Sequence, residues 1–283
     1  MSSECAGKIP RVSVVLPAYN NAQFLGKTIQ SILSQDYGDY ELIVADHSSQ
    51  DKTGEVIERY AANSFVRVMS PTPPGGGALA NWNRVSGFAR GEFIKLVCGD
   101  DLIAPSALRE QVAALDANPS AVLVASPRAL IDSNGRVILR RRGLAGLHGL
   151  VPGRAAVRAA VRSGANIFGE PACVLFKRQI LEREGGWDSQ FPYLIDQATY
   201  TRILLHGDMV ALPNVLASFR ISSGQWSVRL ARQQAEQVMA FHAALRAGNS
   251  GLLSRHDLLI GNARAVTISY ARRIAYLTMR RRM

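Results

Sequence analysis

The feature that most constrains the fold is a regular alternation of apolar runs and helix-like segments within the first 105 residues. The apolar runs are residues 12–17 (VSVVLP), 40–46 (YELIVAD), 66–69 (VRVM) and 93–98 (FIKLVC). Between the runs, apolar side chains recur at helical spacing, as Leu25, Ile29 and Ile32 do. Strands that alternate with helices are typical of a parallel sheet with right-handed crossovers, so the chain is predicted to be α/β.

Length and charge limit the classes of protein to which the chain can belong. With 283 residues and 47% hydrophobic content it can bury a full core. The net charge of +11 predicts a face that attracts anions, such as phosphates, acidic glycans, nucleic acid or lipid headgroups. Residues 1–10 lack the apolar core of a signal peptide, and no run of about 18 uncharged apolar residues follows. The cysteines (Cys5, Cys98 and Cys173) form no CxxC pair, which favours a reducing, cytoplasmic compartment.

Polar side chains follow three of the predicted strands. Asn20 follows the first strand, Asp46 ends the second, and Asp100 and Asp101 follow the fourth. Because parallel strands present their carboxyl ends at one edge of a sheet, these residues are expected to converge in one crevice. Adjacent acids either hold a divalent cation that carries a phosphate, or cap the next helix. The first strand is not followed by GxGxxG, and GxxxxGKS is missing, which argues against a dehydrogenase and a phosphate-loop NTPase.

Three motifs in this order carry a family resemblance: VSVVLPAYN, ELIVADHSSQDKT and NWNRVSGFARGEFIKLVCGDD. Together they resemble the nucleotide-binding half of a family 2 glycosyltransferase. The resemblance implies a GT-A-like, Rossmann-related fold, with a mixed, mainly parallel sheet flanked by helices and a C-terminal helical extension. We expect a GT-A-like domain over residues 1–227, with a nucleotide-binding half (10–105) and an acceptor half (106–227). A basic helical extension would occupy residues 228–283.

The resemblance also assigns donor and metal sites. The implied donor-binding residues are Pro17, Ala18, Tyr19, Asn20, Asp46, Asn83 and Asp100. Asp46 would accept a hydrogen bond from the base, which favours uracil. Asp100 and Asp101 would hold Mn²⁺ or Mg²⁺, although Cys98 stands where the metal motif usually begins with Asp, so diphosphate oxygens and water would complete the ligand set. His47 also replaces a more usual Asp, and either alters base selectivity or faces solvent.

The second half continues the resemblance through GGWD and a helix that starts near Asp196. In this pattern Asp196 matches the general base of an inverting transfer, while Ile195 replaces the usual Glu. A positioned carboxylate contributes about 10²–10⁴-fold by removing the acceptor's proton. The alternative is that Asp196 merely caps the helix. The residues assigned to the acceptor or the diphosphate are Trp187, Asp188, Gln225 and Trp226, the last two where the family often has a histidine.

Three further patterns bear on the acceptor half and the tail. Asn134-Gly135 predicts a hairpin turn, and Arg154, Arg158 and Arg162 form a stripe that either faces water or binds an anion. Residues 253–283 contain seven arginines and one acid, a net charge of +6. This basic helix either lies on an anionic membrane surface or packs on the core. Its predicted apolar stripe consists of Leu259, Ala263, Val266, Tyr270, Ile274 and Leu277.

These observations favour an inverting, metal-dependent glycosyltransferase that uses a UDP-sugar and acts once on a glycan or a lipid-linked saccharide. It would be cytoplasmic, either free or peripheral on the cytoplasmic face of the membrane. A sugar-phosphate nucleotidyltransferase would want a basic, glycine-rich loop after the first strand, which PAYNNAQ lacks. A nucleic-acid-binding module is disfavoured by the 7% aromatic content, and no nucleic-acid partner is expected. A catalytically inactive relative is the remaining alternative.

Overall fold

The computed structural model describes residues 9–188, 190–221 and 233–279, and describes side chains as far as Arg272. The strands within these residues, named in chain order, are β1 (Val12–Ala18), β2 (Tyr40–Asp46), β3 (Val66–Val68), β4 (Phe93–Leu96), β5 (Leu102–Ile103), β6 (Ala121–Ala125), β7 (Arg128–Ile131), β8 (Val137–Arg142), β9 (Gly149–Val151), β10 (Val174–Lys177), β11 (Asp208–Ala211) and β12 (Ala217–Arg220). The helices are α1 (Ala22–Leu33), α2 (Thr53–Glu58), α3 (Gly77–Ser86), α4 (Ala107–Asp116), α5 (Gly153–Ser163), α6 (Arg178–Arg183), α7 (Ile195–Leu204), α8 (Gln234–Gly248) and α9 (Arg255–Met279).

The central sheet has eight strands in the order β3-β2-β1-β4-β10-β6-β11-β9. β1 is parallel to both β2 and β4, β2 to β3, and β6 to β11, whereas β10 and β9 run antiparallel to their neighbours. Every residue of β1 is buried, as expected for a strand covered on both faces. The predicted α/β fold with a mixed, mainly parallel sheet is therefore confirmed.

A smaller sheet of four strands, in the order β5-β12-β7-β8, lies beside the carboxyl end of β4. The predicted Asn134-Gly135 turn joins β7 and β8, which pair antiparallel with Arg128 opposite Arg142. The strands β11 and β12 flank Pro213-Asn214 but belong to different sheets, because β11 pairs with β6 and β12 pairs with β7.

The C-terminal helix α9 packs on α5 and on α8 of the same chain. Asp257 is fully buried. Its carboxylate accepts a hydrogen bond from Arg162 at 2.8 Å and forms an ion pair with Arg158 at 2.9 Å. Arg158 and Arg162 of the predicted arginine stripe therefore hold α9 against α5 through Asp257. Neither of the two roles predicted for the stripe, exposure to water or binding of an external anion, describes these two residues. Small residues allow a close approach here: a Cβ on Gly261 would lie 2.3 Å from the carbonyl oxygen of Val161.

The face of α9 that packs on the protein is not the predicted apolar stripe. Gly261 and Ala265 face α5, whereas Leu259 and Tyr270 are 70% and 61% exposed. The two alternatives for the tail are therefore not exclusive, since one face docks while Leu259 and Tyr270 of the predicted stripe stay exposed. Within the described residues, no helix is both long and apolar enough to cross a bilayer.

Candidate functional site

A cavity of about 1200 Å³ opens at the carboxyl ends of β1, β2 and β4. It continues past the smaller sheet to the start of α7 and to the inner side of α9. Its walls include three predicted donor residues (Pro17, Tyr19 and Asn20), both acids of the proposed metal site and Asp196. The expected convergence of strand ends is thus observed, and Asp196 reaches the same space from the second half of the chain.

The loops after β1 and β2 are joined by hydrogen bonds. Asn20 and Ser48 have φ angles of +48° and +54°, in the left-handed region that non-glycine residues seldom adopt. The side-chain carbonyl of Asn20 accepts from the Gln50 N–H at 2.9 Å, and the Asn20 N–H donates to the Ser49 hydroxyl at 2.9 Å. Unfavourable backbone held in place at the mouth of a cavity is typical of a binding site.

His47 points inward rather than to solvent. It is 6% exposed, and its Nε2 lies 2.9 Å from the carbonyl oxygen of Gly75, in the loop before α3. Its ring lies 5.8 Å from that of Tyr19, which is half exposed at the cavity wall. The interpretation of His47 as a solvent-facing residue is therefore wrong; it fixes the glycine loop and the tyrosine beside the cavity.

The asparagine of α3 that faces the cavity is Asn81, not Asn83. The side-chain amide of Asn81 donates to the carbonyl of Ala18 at 3.3 Å, and its oxygen accepts from the Thr72 hydroxyl at 2.7 Å. Asn83 instead accepts from the backbone N–H of Trp187 at 2.8 Å and is not part of the cavity wall. Residues two apart on a helix point about 200° apart, so only one of the two can face the site. The assignment of Asn83 to the donor pocket is corrected accordingly.

Asp46 and Ala18 lie just behind the wall of the cavity. The Asp46 carboxylate accepts from the backbone N–H and the hydroxyl of Ser49, so it shapes the turn after β2. Ala18 is fully buried, and its carbonyl accepts from the His47 N–H at 2.9 Å. Neither side chain lines the cavity, although Pro17 and Tyr19 on either side of Ala18 do, and so does His47 next to Asp46.

The acid pair lies immediately after β4. Asp101 is 1% exposed; its Oδ1 accepts from the Arg220 N–H at 3.1 Å, whereas its Oδ2 is buried without a hydrogen-bond partner among the described residues. Burial, and then the charge of Asp100, raises the pKa of Asp101 well above its ordinary value. A divalent cation would supply the missing contact and offset the repulsion, so Asp100 and Asp101 fit a metal.

The metal would depend on few protein ligands. The described residues contain no group of three or more His, Cys, Asp and Glu side chains arranged to hold an ion. Burial, followed by the charges of Asp101 and Asp100, raises the pKa of Cys98, so its thiol stays protonated and is a poor ligand. Oxygens of a diphosphate and water would have to complete the coordination, as Mg²⁺ commonly allows.

Arg220 joins the smaller sheet to the acid pair. Its Nε donates to the Asp100 carbonyl at 2.9 Å, and its Nη1 donates to the Asp132 carbonyl at 3.0 Å. Its guanidinium lies 4.6 Å from the ring centre of Phe24. Because Arg220 is 1% exposed, its role is to hold the Asp100 backbone in place, and it is not a free cation.

Asp196 occupies the first turn of α7 and lines the same cavity. Its Oδ2 accepts from the Asn166 side-chain amide at 2.8 Å, and its Oδ1 accepts from the Gln197 N–H at 2.7 Å. The residue that precedes α7 is Leu194, so Asp196 does not hold the N-cap position. Burial raises the pKa of Asp196 to about 7, with the Glu170 charge adding to the effect. A carboxyl that titrates near neutral pH is suited to accept a proton.

Trp187 and Asp188 support the site from outside. The Trp187 indole is 4% exposed, donates to the Ser86 hydroxyl at 2.9 Å and packs edge-on against Trp82. Asp188 accepts from the Gln190 N–H at 2.8 Å, and neither residue lines the cavity. Their assignment to the acceptor or diphosphate is corrected: the GGWD turn braces α3 and α7. Gln225 and Trp226 lie outside the described residues.

Several cavity residues had not been predicted from the sequence. Arg128 is 3% exposed and donates to Glu170 at 2.9 Å, next to the Asn166 that holds Asp196. A buried strand that runs directly into an arginine, as residues 121–128 do, was a signal for Arg128. Asn166 and Glu170 lie in an irregular segment, where no periodicity marks which side chains turn inward.

Comparison with known proteins gives the same family over most of the chain. The family model described as "Glycosyl transferase family 2" matches residues 13–185. The uncharacterized protein MT1568 of Mycobacterium tuberculosis is 28% identical over 233 residues, which are 78% of this chain and 70% of that protein. The poly(ribitol-phosphate) beta-N-acetylglucosaminyltransferase TarS of Staphylococcus aureus is 29% identical over 128 residues, 44% of this chain and 22% of its own length.

Solved structures share the fold. The S. aureus TarS structure (residues 1–349) in complex with UDP-GlcNAc superposes with a TM-score of 0.70 at 18% identity, covering 90% of this chain and 71% of that one. The mannosyltransferase PcManGT of Pyrobaculum calidifontis, in complex with GDP-Man and Mn²⁺, superposes with a TM-score of 0.67 at 21% identity, covering 98% and 77%. The predicted GT-A-like fold is thereby confirmed.

Proposed function

This chain is a glycosyltransferase that belongs to glycosyl transferase family 2, and we propose that it transfers a sugar from a UDP-sugar to an acceptor hydroxyl with inversion. The observation that carries the proposal is a single cavity whose wall combines two kinds of chemistry. It contains the loops after β1 and β2 with the acid pair Asp100 and Asp101, and it also contains Asp196 with a pKa of about 7.

The donor nucleotide would lie against the loops after β1 and β2. The half-exposed ring of Tyr19 offers a stacking surface for the base, and Asn20 and Asn81 offer polar contacts beside it. Uracil is proposed because TarS was solved with UDP-GlcNAc and UDP, whereas PcManGT was solved with GDP-Man. Guanine is therefore the comparison to make in a binding experiment.

A divalent cation, when bound at Asp100 and Asp101, would stabilise the negative charge that grows on the departing diphosphate. The chain's own contribution there is to hold two carboxylates close together. Arg220 fixes the Asp100 carbonyl and the Asp101 carboxylate from behind. The orphaned Oδ2 of Asp101 is the atom that most needs such a partner.

Asp196 would remove the acceptor's proton. Asn166 orients the carboxylate by donating to Oδ2, and the Gln197 N–H holds Oδ1. Attack by the acceptor oxygen on the anomeric carbon would form the new glycosidic bond as the bond to the diphosphate breaks, and the proton would move to Asp196. A single displacement of this kind inverts the anomeric configuration.

Calorimetry and turnover together test the proposal. Wild-type protein with Mn²⁺ should bind UDP more tightly than GDP and should release UDP from at least one member of a UDP-sugar panel. Asp196→Asn should keep UDP affinity but lower turnover at least about 100-fold. Asp100→Ala should weaken metal-dependent UDP binding. The matched control is Asp36→Asn, which removes a surface carboxylate paired with Arg109. It should change neither the UDP affinity nor the turnover. Full turnover by Asp196→Asn would refute its role as the base.

The surface of α9 supports a peripheral position on an anionic membrane. Leu259 and Tyr270 are exposed on a helix whose segment carries a net charge of +6, and a lipid-linked acceptor would lie at such a surface. Sedimentation with vesicles that contain anionic lipid should carry the wild type down, and Leu259→Glu should reduce the bound fraction. Equal sedimentation with neutral vesicles would exclude the electrostatic part of this proposal.

A further inference from the structure

Three arginines from separate elements line the same cavity as Asp196. This arginine cluster consists of Arg128 on β7, Arg142 on β8 and Arg272 on α9. Arg128 and Arg142 stand opposite each other in the β7–β8 hairpin. None of these positions belongs to the donor site or the acid pair, so the proposed reaction leaves the cluster without a role.

Among the described residues, only one member of the arginine cluster has an acidic partner. Arg128 pairs with Glu170, and its Nη1 is buried without a hydrogen-bond partner in the described part of the chain. Arg142 makes no ion pair with any described residue, and Arg272 donates to neutral oxygens, those of Tyr193 and of Gln234 at 3.4 Å. Two positive charges therefore lie beside the Arg128–Glu170 pair with no carboxylate of their own.

The charges of the cluster work against one another. Although Arg142 remains exposed on β8, its partial burial in the cavity wall, and then the charges of Arg272 and Arg128, lowers its pKa. An arginine side chain stays protonated in proteins, so this repulsion is not relieved by loss of a proton. An anion bound between the guanidinium groups would relieve it, and their planar forks match the two oxygens of a carboxylate or a phosphate.

We infer that the arginine cluster binds an anionic group, a phosphate or a carboxylate, on the acceptor. The inference rests on the proposed transfer reaction, because it names the chemical class of the acceptor. Its location suits this role: Arg128 pairs with Glu170, and the Asn166 amide that donates to Asp196 also donates to the carbonyl of the adjacent Gly169, so the cluster adjoins the proposed base. A hydroxyl near the bound anion would then meet the Asp196 carboxylate.

The donor diphosphate is a less suitable ligand for the cluster. In the smaller sheet, β5 directly follows the acid pair, whereas β8, which carries Arg142, is the strand at the opposite edge. The diphosphate is expected beside the acid pair. Saturating the protein with UDP and Mn²⁺ should therefore leave the arginine cluster free to bind a second anion.

Inorganic sulfate is the probe for this second site, titrated into the UDP- and Mn²⁺-saturated protein by calorimetry. Wild type should bind sulfate, and Arg142→Gln and Arg272→Gln should each weaken it at least about tenfold. Arg141→Gln is the matched control: it removes the same charge from the adjacent position of β8, where the side chain donates to the Pro213 carbonyl outside the cavity wall. Its sulfate affinity should equal that of wild type.

The acceptor class is tested with glucose, glucuronate and glucose 6-phosphate as probes of one scaffold. Glucuronate or glucose 6-phosphate should compete with sulfate for wild type better than glucose does, and this difference should disappear in Arg142→Gln. Whichever of the two anionic sugars competes better shows whether the site prefers a carboxylate or a phosphate. Equal sulfate affinity in Arg142→Gln, Arg272→Gln and Arg141→Gln would overturn the inference even where all bind UDP. Failure of every protein to bind UDP would instead refute the proposed function, and the same titration without UDP would still report on the cluster.

Discussion

Replacing Asp196 by asparagine should stabilise the fold at alkaline pH while it abolishes sugar transfer. Burial raises the pKa of this carboxyl to about 7, from an ordinary value of 3.8. In the unfolded chain the group ionises near 3.8, whereas the folded protein keeps the proton until about pH 7. The stability that the neutral carboxyl contributes is therefore complete below pH 3.8 and is lost as the pH rises to about 7.

The size of the effect follows from the same two pKa values. The difference between them corresponds to at most about 4 kcal/mol, at 1.36 kcal/mol for each tenfold change in proton affinity. Partial solvent contact reduces this ceiling by about half. Asparagine has one oxygen for two donors, so it also loses the Asn166 or the Gln197 contact, which costs about 1 kcal/mol. We expect a net gain of about 1 kcal/mol at pH 8.5.

Chemical denaturation of wild type and Asp196→Asn between pH 4.5 and 8.5 measures this difference. The variant's advantage in free energy of unfolding should grow with pH and level off above about pH 8, and Asp36→Asn should show no such trend. In parallel, wild-type kcat/KM should rise with pH around an apparent pKa of about 7. A constant difference between the two proteins across this range would refute the conclusion that Asp196 is protonated below neutral pH.

Three other substitutions test the remaining parts of the structure. Asp257→Asn should destabilise the protein by about 3 kcal/mol at pH 7, because it breaks the contacts with Arg158 and Arg162. Hydrogen bonds lower the pKa of Asp257 despite its burial. In denaturation curves the loss in free energy of unfolding caused by Asp257→Asn should therefore shrink as the pH falls below about 4. A loss that grows in this range would contradict the reasoning. Cys98→Asp should tighten Mn²⁺ binding about tenfold without UDP, measured by calorimetry, because a third carboxylate joins the acid pair. Gly153→Ala should lower the thermal unfolding temperature, since its Cβ would lie 2.0 Å from the Gly207 carbonyl oxygen; an unchanged temperature would rule out this tight packing.

The strands were predictable because burial on both faces leaves a simple signature. The run over residues 40–46 coincides with β2, whose residues are buried up to Asp46. The Asn134-Gly135 turn was equally clear, since its residue types suit few other conformations. The partner of a strand was harder to predict. β10 inserts antiparallel between β4 and β6, a long-range pairing that no local pattern specifies.

The face of a helix is where sequence reasoning about the site was least successful. On α9 the apolar stripe suggested the packing face, yet the contact with α5 is made by Gly261 and Ala265, because small residues permit the closest approach of two helices.

On α3 the same ambiguity separates Asn81 from Asn83. The loops after β1 and β2 lie at the cavity because parallel strands fix where their carboxyl ends must be. Asp196 was assigned from the family resemblance, and it lines the cavity, while its role as the base stays a prediction. The arginine cluster depends on a hairpin and a distant helix meeting, and only the tertiary structure brings Arg142 and Arg272 into one cavity.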